Sequence, residues 1–317
     1  MPAALVTGRL TVLTDTIAHS LIHDAPHRRV AGVRTLDAHT GRAREYSARV
    51  VFLCASAFES VRLLLNSRNA EFPQGLANSS GTLGRYIMDH FPSQLAVGEI
   101  DGPALPHYVG ARPGPLFVPR FRNLGERRSD YVRGYQLNGG AWPRDWRRGI
   151  ISRGIGASFK HSLRRTDQWQ VMLMGQGECL PRVDNTLSLD REVKDAWGIP
   201  ALRIDMTYGD NEAAMRADAS AECLAMLQAT GVQNARLIPI SAVPGAAIHE
   251  MGGARMGRDP RTSVLNGFNQ SHDLTNLFVT DGAAMTSSSC ANPSLTYMAL
   301  TARACAYAVD ELKRRNL

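Results

Sequence analysis

The run Val-Val-Phe-Leu-Cys at positions 50–54 is apolar at every residue. A strand with alternating character can leave one face in water, but a continuous apolar run requires cover on both faces, as in the sheets of α/β proteins. Small residues Ala55 and Ser56 follow, and then "AFESVRLLLNS" repeats its apolar positions at helical spacing. Strand, tight small-residue turn and helix form a common ligand-facing corner of an α/β sheet.

Upstream, apolar and polar residues alternate through Leu10, Val12 and Thr14. They alternate again in "RRVAGVRTLD" and "REYSARVVFLCAS", on either side of a turn at His39-Thr40-Gly41, so a β meander is predicted. From about Pro92 to Ile248 the composition shifts towards Gly, Pro, Arg and aromatics. Strand-like pieces such as "QVMLMGQGECL" and "TLSLDREVKDAWGIPALRIDM" predict a second, sheet-rich domain there. One helix interrupts it, capped by Asp210, with Met215, Ala219 and Met226 near one face and Gly231 as its stop. Beyond residue 249 come a glycine-rich turn, the strand "NLFVTDG" and a final helix. The expected class is α/β and α+β, in three segments: 1–91, 92–248 and 249–317.

Composition narrows the function. The formal charge is +7, but the basic residues are dispersed, with clusters only at Arg120 to Arg133, Arg144 to Arg153 and Lys160 to Arg165. No nucleic-acid-binding pattern accompanies them, so neither a nucleic-acid nor a membrane-surface partner is expected. Five cysteines, at 54, 179, 223, 290 and 305, are widely spaced in apolar sequence and read as small core residues rather than disulfides or metal ligands. No apolar run reaches the roughly 18 residues of a membrane span. Compartment is left open.

Three short stretches carry candidate chemistry. In "HEMGGARMG", His249 precedes Gly252-Gly253, a turn that lets backbone approach a flat ligand, and imidazole suits proton transfer near neutral pH. The alternative is a glycine-rich loop with an incidental histidine. Asp281-Gly282 ends an apolar strand, where ribose or ribityl hydroxyls are often held, although Asp-Gly is also an ordinary turn dipeptide. In "SSSCANPSLTYMALTARACAYAVDELKRR", Asn292 is a strong N-cap and Pro293 suits the first helical position. Leu295, Met298, Ala299, Ala302, Cys305, Ala306, Val309 and Leu312 then predict a buried stripe. The helix's positive end favours negative charge by up to roughly 1 kcal/mol; capping alone is the plainer reading.

Taken in order, "VVFLCASAFESVRLLLNS", "NSSGTLGRYIMDH", "ECLPRVDNTLSLD", "HEMGGARMG", "VTDGAAM" and "SSSCANPSLTYMALTARA" resemble the latter two thirds of the glucose-methanol-choline (GMC) oxidoreductases, especially the bacterial sugar dehydrogenase branch. The resemblance implies part of an FAD-binding Rossmann-like domain joined to a substrate domain with a mixed or antiparallel sheet. It also implies oxidation of a sugar or other alcohol, with hydride passing to flavin N5. By motif, His249 matches the catalytic base and Asn292 the second His/Asn position. Asp281 and Gly282 match the segment beside the ribityl chain, Ala55 matches a small residue at the adenosine half, and Pro293 and Ser294 face the flavin pyrimidine. Glu178 reads as structural or rim.

The family's GxGxxG strand–helix unit is not found in these residues. The expectation is therefore a second polypeptide or segment completing the FAD site, and exposed apolar surface around residues 48–58 and 277–283 without it. An electron-accepting cytochrome is implied only by the branch. Two other readings stand beside this one: a non-catalytic sugar- or protein-binding remnant, which retained chemistry speaks against, and an anion-binding protein, which would show steeply salt-dependent binding.

Overall fold

The computed structural model describes residues 1–102, 116–143, 149–150, 152–164 and 168–317. In chain order its elements are α1 (Pro2–Val6), β1 (Thr16–Asp24), β2 (Arg29–Asp37), β3 (Ala43–Ser47), β4 (Val51–Leu53), α2 (Ala57–Asn66), β5 (Phe91–Pro92), β6 (Leu95–Asp101), β7 (Leu116–Val118), β8 (Tyr135–Pro143), α3 (Gly156–Leu163), β9 (Gln168–Gly177), β10 (Thr186–Lys194), β11 (Pro200–Asp205), α4 (Asp210–Ala229), β12 (Gln233–Ile238), β13 (Leu277–Val279) and α5 (Ser294–Lys313).

The meander forms, but one strand later than the alternation at Leu10–Thr14 suggests. β1 pairs with β2 from Thr16↔Asp37 to Asp24↔Arg29. β2 stops at Asp37, whose carboxylate accepts the N–H groups of His39 (3.1 Å) and Thr40 (2.9 Å) and turns the chain. Residues 10–14 pair with no strand among the described residues. The fully apolar run then leaves the meander: β4 pairs in parallel with β13, Val51↔Leu277 to Leu53↔Val279.

Among the described residues two apolar clusters are large. Leu53, Val61 and Leu64 meet Val264, Leu265, Leu277 and Val279, and Leu187 and Leu202 of the β10–β11 hairpin join them. Arg62 ties that hairpin to α2, donating to the Pro200 carbonyl (2.8 Å) and to Asp195 (2.7 Å). The second cluster lies between an antiparallel sheet, in the order β12-β6-β9-β8-β7 with β5 on β9, and α4. The buried stripe of α4 is Met215, Ala219, Cys223 and Leu227, at four-residue steps, while Met226 is half-buried. Asp210 is the first residue of this helix rather than its cap; the Glu212 side chain accepts the Gly209 N–H instead (2.8 Å).

Part of the Arg120–Arg133 cluster is spent internally: Arg122 and Arg128 converge with Tyr131 and Tyr135 on Asp218. Part of the Arg144–Arg153 cluster, and Arg165, lie outside the described residues.

The C-terminal helix corrects the predicted stripe. Its buried residues are Ala304, Ala308 and Glu311, and the two alanines cluster with Phe278, Val50 and Phe52. Leu295 (78%), Met298 (68%) and Val309 (49%) are exposed instead, together with Ala299, Ala302, Cys305 and Ala306. The apolar positions are real, but the wall they would pack against is not among the described residues. Cys54 and Cys305 are likewise exposed rather than core, whereas Cys179, Cys223 and Cys290 are buried.

The expected open surface is found at Cys54, Ala55 and Ser56 and not at 277–283, where α5 and the chain from Val264 to Asn276 bury Leu277, Phe278 and Val279 completely. Among the described residues no strand pairs with the other edge of β4.

Met215→Ala is expected to destabilise the fold by roughly 2–5 kcal/mol and Met226→Ala by well under half of that. Urea midpoints of the two variants check it, and equal shifts would contradict the assigned face of α4.

Candidate active site

The site is assembled by a buried carboxylate. Asp89 is fully buried, and its oxygens accept the backbone N–H groups of His90 (2.8 Å), His249 (3.0 Å) and Ala247 (3.1 Å). Segments about 160 residues apart in sequence are thereby stapled side by side. Reciprocal backbone bonds between Met88 and Met251 (2.8 and 2.9 Å) continue the staple.

Gly252 and Gly253 turn the chain away with φ of 84° and 93°, and a Cβ on Gly252 would stand 2.2 Å from the Tyr86 carbonyl oxygen. Ile248 is held at φ 56°, an unfavourable conformation for a β-branched residue, immediately before His249.

His249 therefore meets two partners. Its Nδ1 lies 2.9 Å from Nδ1 of His90, with the rings nearly perpendicular at 77°. Its Nε2 lies 3.1 Å from Nδ2 of Asn292. His90, fully buried, sets Nε2 against the carbonyl oxygens of Ser289 (3.0 Å) and Ser288 (3.4 Å), and Gln176 places its amide nitrogen 3.0 Å from the His90 Nδ1. Burial, reinforced by the nearby His249, pushes the His90 pKa down to about 4.

Asn292 does not cap α5. The helix starts at Ser294, one residue later than its cap preference implies, and Pro293 fills the cap position without a side-chain hydrogen bond. Pro293 already has helical dihedrals and its carbonyl receives the Tyr297 N–H (3.1 Å), so Asn292 stands one step outside and its amide is free to turn to His249. The first amides of α5 thus have no side-chain acceptor, and Ser294, Leu295 and Thr296 are exposed.

The remaining expected cofactor residues form a second group. Ser60 donates to Asp281, accepts the Ala55 N–H (3.1 Å), and so ties the β4 end to the β13 end. Asp281 also accepts the Ala283 N–H (2.9 Å), and burial pushes its carboxyl pKa up. Gly282 joins this group to the first: its carbonyl accepts the Gly252 N–H (2.9 Å), and a Cβ there would fall 2.6 Å from the Glu250 oxygen and 2.9 Å from the Tyr297 hydroxyl. Glu178 is buried beside Arg133 (3.7 Å), and burial pushes its carboxyl pKa up as well.

Asp89, His90 and Gln176 were not singled out from sequence. The signal for the first two is the Asp-His pair that closes "NSSGTLGRYIMDH", one of the stretches resembling the family.

These residues suit the isoalloxazine half of a flavin. Uncapped amides at a helix's positive end match the electron-rich pyrimidine edge, and Asn292 and His249 stand beside them. The exposed Cys54–Ser56 turn at the end of β4 adds a small-residue edge.

The chain thus joins an α/β core with a parallel strand pair to a separate antiparallel sheet, with an imidazole–amide pair at an open helix end. Residues 181–301 match the GMC oxidoreductase family, C-terminal domain. The chain is 31% identical, over 96% of its length and 55% of the relative's, to 2-methyl-1,2-propanediol dehydrogenase of Mycolicibacterium austroafricanum. It is 28% identical, over 96% and 54%, to the fructose dehydrogenase large subunit of Gluconobacter japonicus. Its fold is similar to that of pyridoxine 4-oxidase from Mesorbium loti, with a TM-score of 0.62 at 18% identity, covering 96% of this chain and 60% of that one. The chain belongs to the GMC oxidoreductases, a family of FAD-binding enzymes, and spans about half the length of the curated relatives it matches.

Because His90 is neutral in the fold and has a depressed pKa, its contribution to stability is present above about pH 6.5 and is lost as pH falls towards 4. The expected loss is on the order of 3 kcal/mol. Thermal melts over that interval check it: His90→Asn should flatten the dependence, and an unchanged slope would contradict the assignment.

Proposed function

We propose that the complete flavoprotein oxidises a hydroxyl of a sugar or other alcohol, with His249 as the base and Asn292 as the hydrogen-bond donor to the reacting oxygen. The observation that carries this reading is the 3.1 Å contact between the Asn292 amide and His249 Nε2 beside the uncapped start of α5. A substrate hydroxyl entering there meets a proton acceptor and an N–H donor on the same side.

His249 Nε2 takes the hydroxyl proton, and the oxygen's growing negative charge is held by the Asn292 N–H. Collapse of that charge forms the carbonyl and releases hydrogen from carbon with its electron pair. FAD, when bound, accepts that hydrogen and both electrons. The amides of Ser294 and Leu295, at the positive end of α5, would hold the flavin's negative charge. The Asp89 staple keeps His249 in register throughout, so little reorganisation accompanies the proton transfer.

Ala55, Asp281 and Gly282 are the proposed wall for the ribityl and adenosine side. The exposed stripe of α5 and the free edge of β4 support a further segment or second polypeptide as cover: a strand parallel to β4, with apolar side chains on Leu295, Met298 and Val309. The names of the relatives, an aliphatic diol dehydrogenase and a fructose dehydrogenase subunit, support an alcohol or sugar as substrate. A one-electron acceptor such as a cytochrome is the proposed partner for reoxidation.

His249→Ala should lower turnover of the complete enzyme at least about a hundredfold; a loss under threefold would remove the base assignment. Met298→Glu should leave the chain's own melting within about 0.5 kcal/mol of the parent while abolishing flavin retention. Flavin absorbance kept by the purified variant would contradict the proposed cover.

A further inference from the structure

We propose that His90 is a positioning residue that holds the proton of His249 on Nδ1 and so leaves Nε2 bare to receive the substrate's proton. This rests on the reading of His249 as the base, and it adds how the base is kept in its working form.

Carbonyl oxygens only accept, so the His90 Nε2 facing Ser289 (3.0 Å) and Ser288 (3.4 Å) must carry hydrogen. The fully buried ring is neutral and has one proton to place, so its Nδ1 is bare.

A separate set of bonds says the same. The Gln176 amide nitrogen donates to the Cys290 carbonyl (3.0 Å), and its oxygen accepts from Asn138 (3.3 Å), so the amide cannot be turned over. Its second N–H then points at His90 Nδ1 from 3.0 Å, which again requires a lone pair there. Opposite that lone pair, at 2.9 Å, stands Nδ1 of His249, which must therefore be the protonated nitrogen.

The Gln176 N–H and the His249 N–H share that single lone pair, and the remaining groups around the ring do not compete for it. The Asp89 carboxylate is occupied by three backbone N–H groups, and the Tyr208 hydroxyl donates to the His90 backbone carbonyl (3.1 Å). Ser289, whose carbonyl anchors Nε2, is held in a left-handed conformation at φ 57°. With Nδ1–H of His249 committed, its Nε2 lone pair faces the Asn292 amide at 3.1 Å, where the substrate hydroxyl enters. Free neutral imidazole prefers the opposite tautomer, with hydrogen on Nε2, and that form could not act as a base at this position.

The test is nitrogen NMR of the intact protein carrying ¹⁵N-histidine, near neutral pH. His249 should show a protonated Nδ1 and a bare Nε2, and His90 the reverse. In His90→Phe, which lacks the acceptor, the His249 signals should move to the mixture dominated by Nε2–H. His90→Asn, whose side-chain oxygen falls where Nδ1 stood, should keep the parent form. Turnover should fall roughly ten- to hundredfold in the Phe variant, by analogy with the loss when the hydrogen-bond partner behind a metal-ligating imidazole is removed, and the Asn variant should recover most of it.

A parent protein with hydrogen on His249 Nε2 overturns the proposal, as does a Phe variant with unchanged His249 signals. If the Phe variant does not fold, the parent spectrum decides alone. Because the spectrum does not depend on turnover, a confirmed tautomer with an active His249→Ala enzyme would defeat the base reading and leave the positioning intact.

Discussion

The buried carboxylate of Asp89 is the constraint on which the site depends. A charge taken out of water is tolerated only when hydrogen bonds replace its hydration. Here the replacements are three backbone amides drawn from two remote segments. The arrangement converts a general requirement for satisfied polar groups into a specific geometry, in which the strand entry carrying His90 and the loop carrying His249 are both bonded to one carboxylate. The left-handed Ile248 and the close-packed Gly252 are local consequences of holding the loop there.

From the staple outward the site is a relay of fixed donors and acceptors. Backbone carbonyls orient His90, His90 faces His249, and His249 faces Asn292, at a helix start whose amides have no side-chain acceptor. Each link is short, and most are shielded from water, where hydrogen bonds are stronger and misorientation costs more. The relay begins in the antiparallel half, through Gln176 on β9, and ends on the parallel half, through α5. Chemistry at this point therefore requires the two apolar cores to be in register, which is one physical reason to build such a site at their junction.

Much of the fold was legible locally. The α2 helix, the stop of α4 at Gly231, the β10–β11 hairpin and the apolar strand before Asp281 all follow from periodicity and turn residues. The errors share one cause. The strand expected at Leu10–Thr14, the core role given to Cys54 and Cys305, and the burial of Leu295, Met298 and Val309 were inferred from side-chain character, which shows what a surface prefers but not what lies against it. Asn292 was read as a cap because asparagine commonly is one; its amide had a second possible partner that no local rule reveals.

Sequence by itself determined the inventory: an imidazole beside a glycine turn, a carboxamide before a proline-led helix, an Asp-Gly strand end, and the family to which these motifs point. Tertiary structure alone decided that the imidazole and the carboxamide meet, and that a second histidine, unremarked in the sequence, stands behind the first. The reason is that hydrogen-bond direction and burial are properties of pairs. A histidine's proton goes to whichever nitrogen its neighbour leaves room for, and that neighbour lies 159 residues away along the chain.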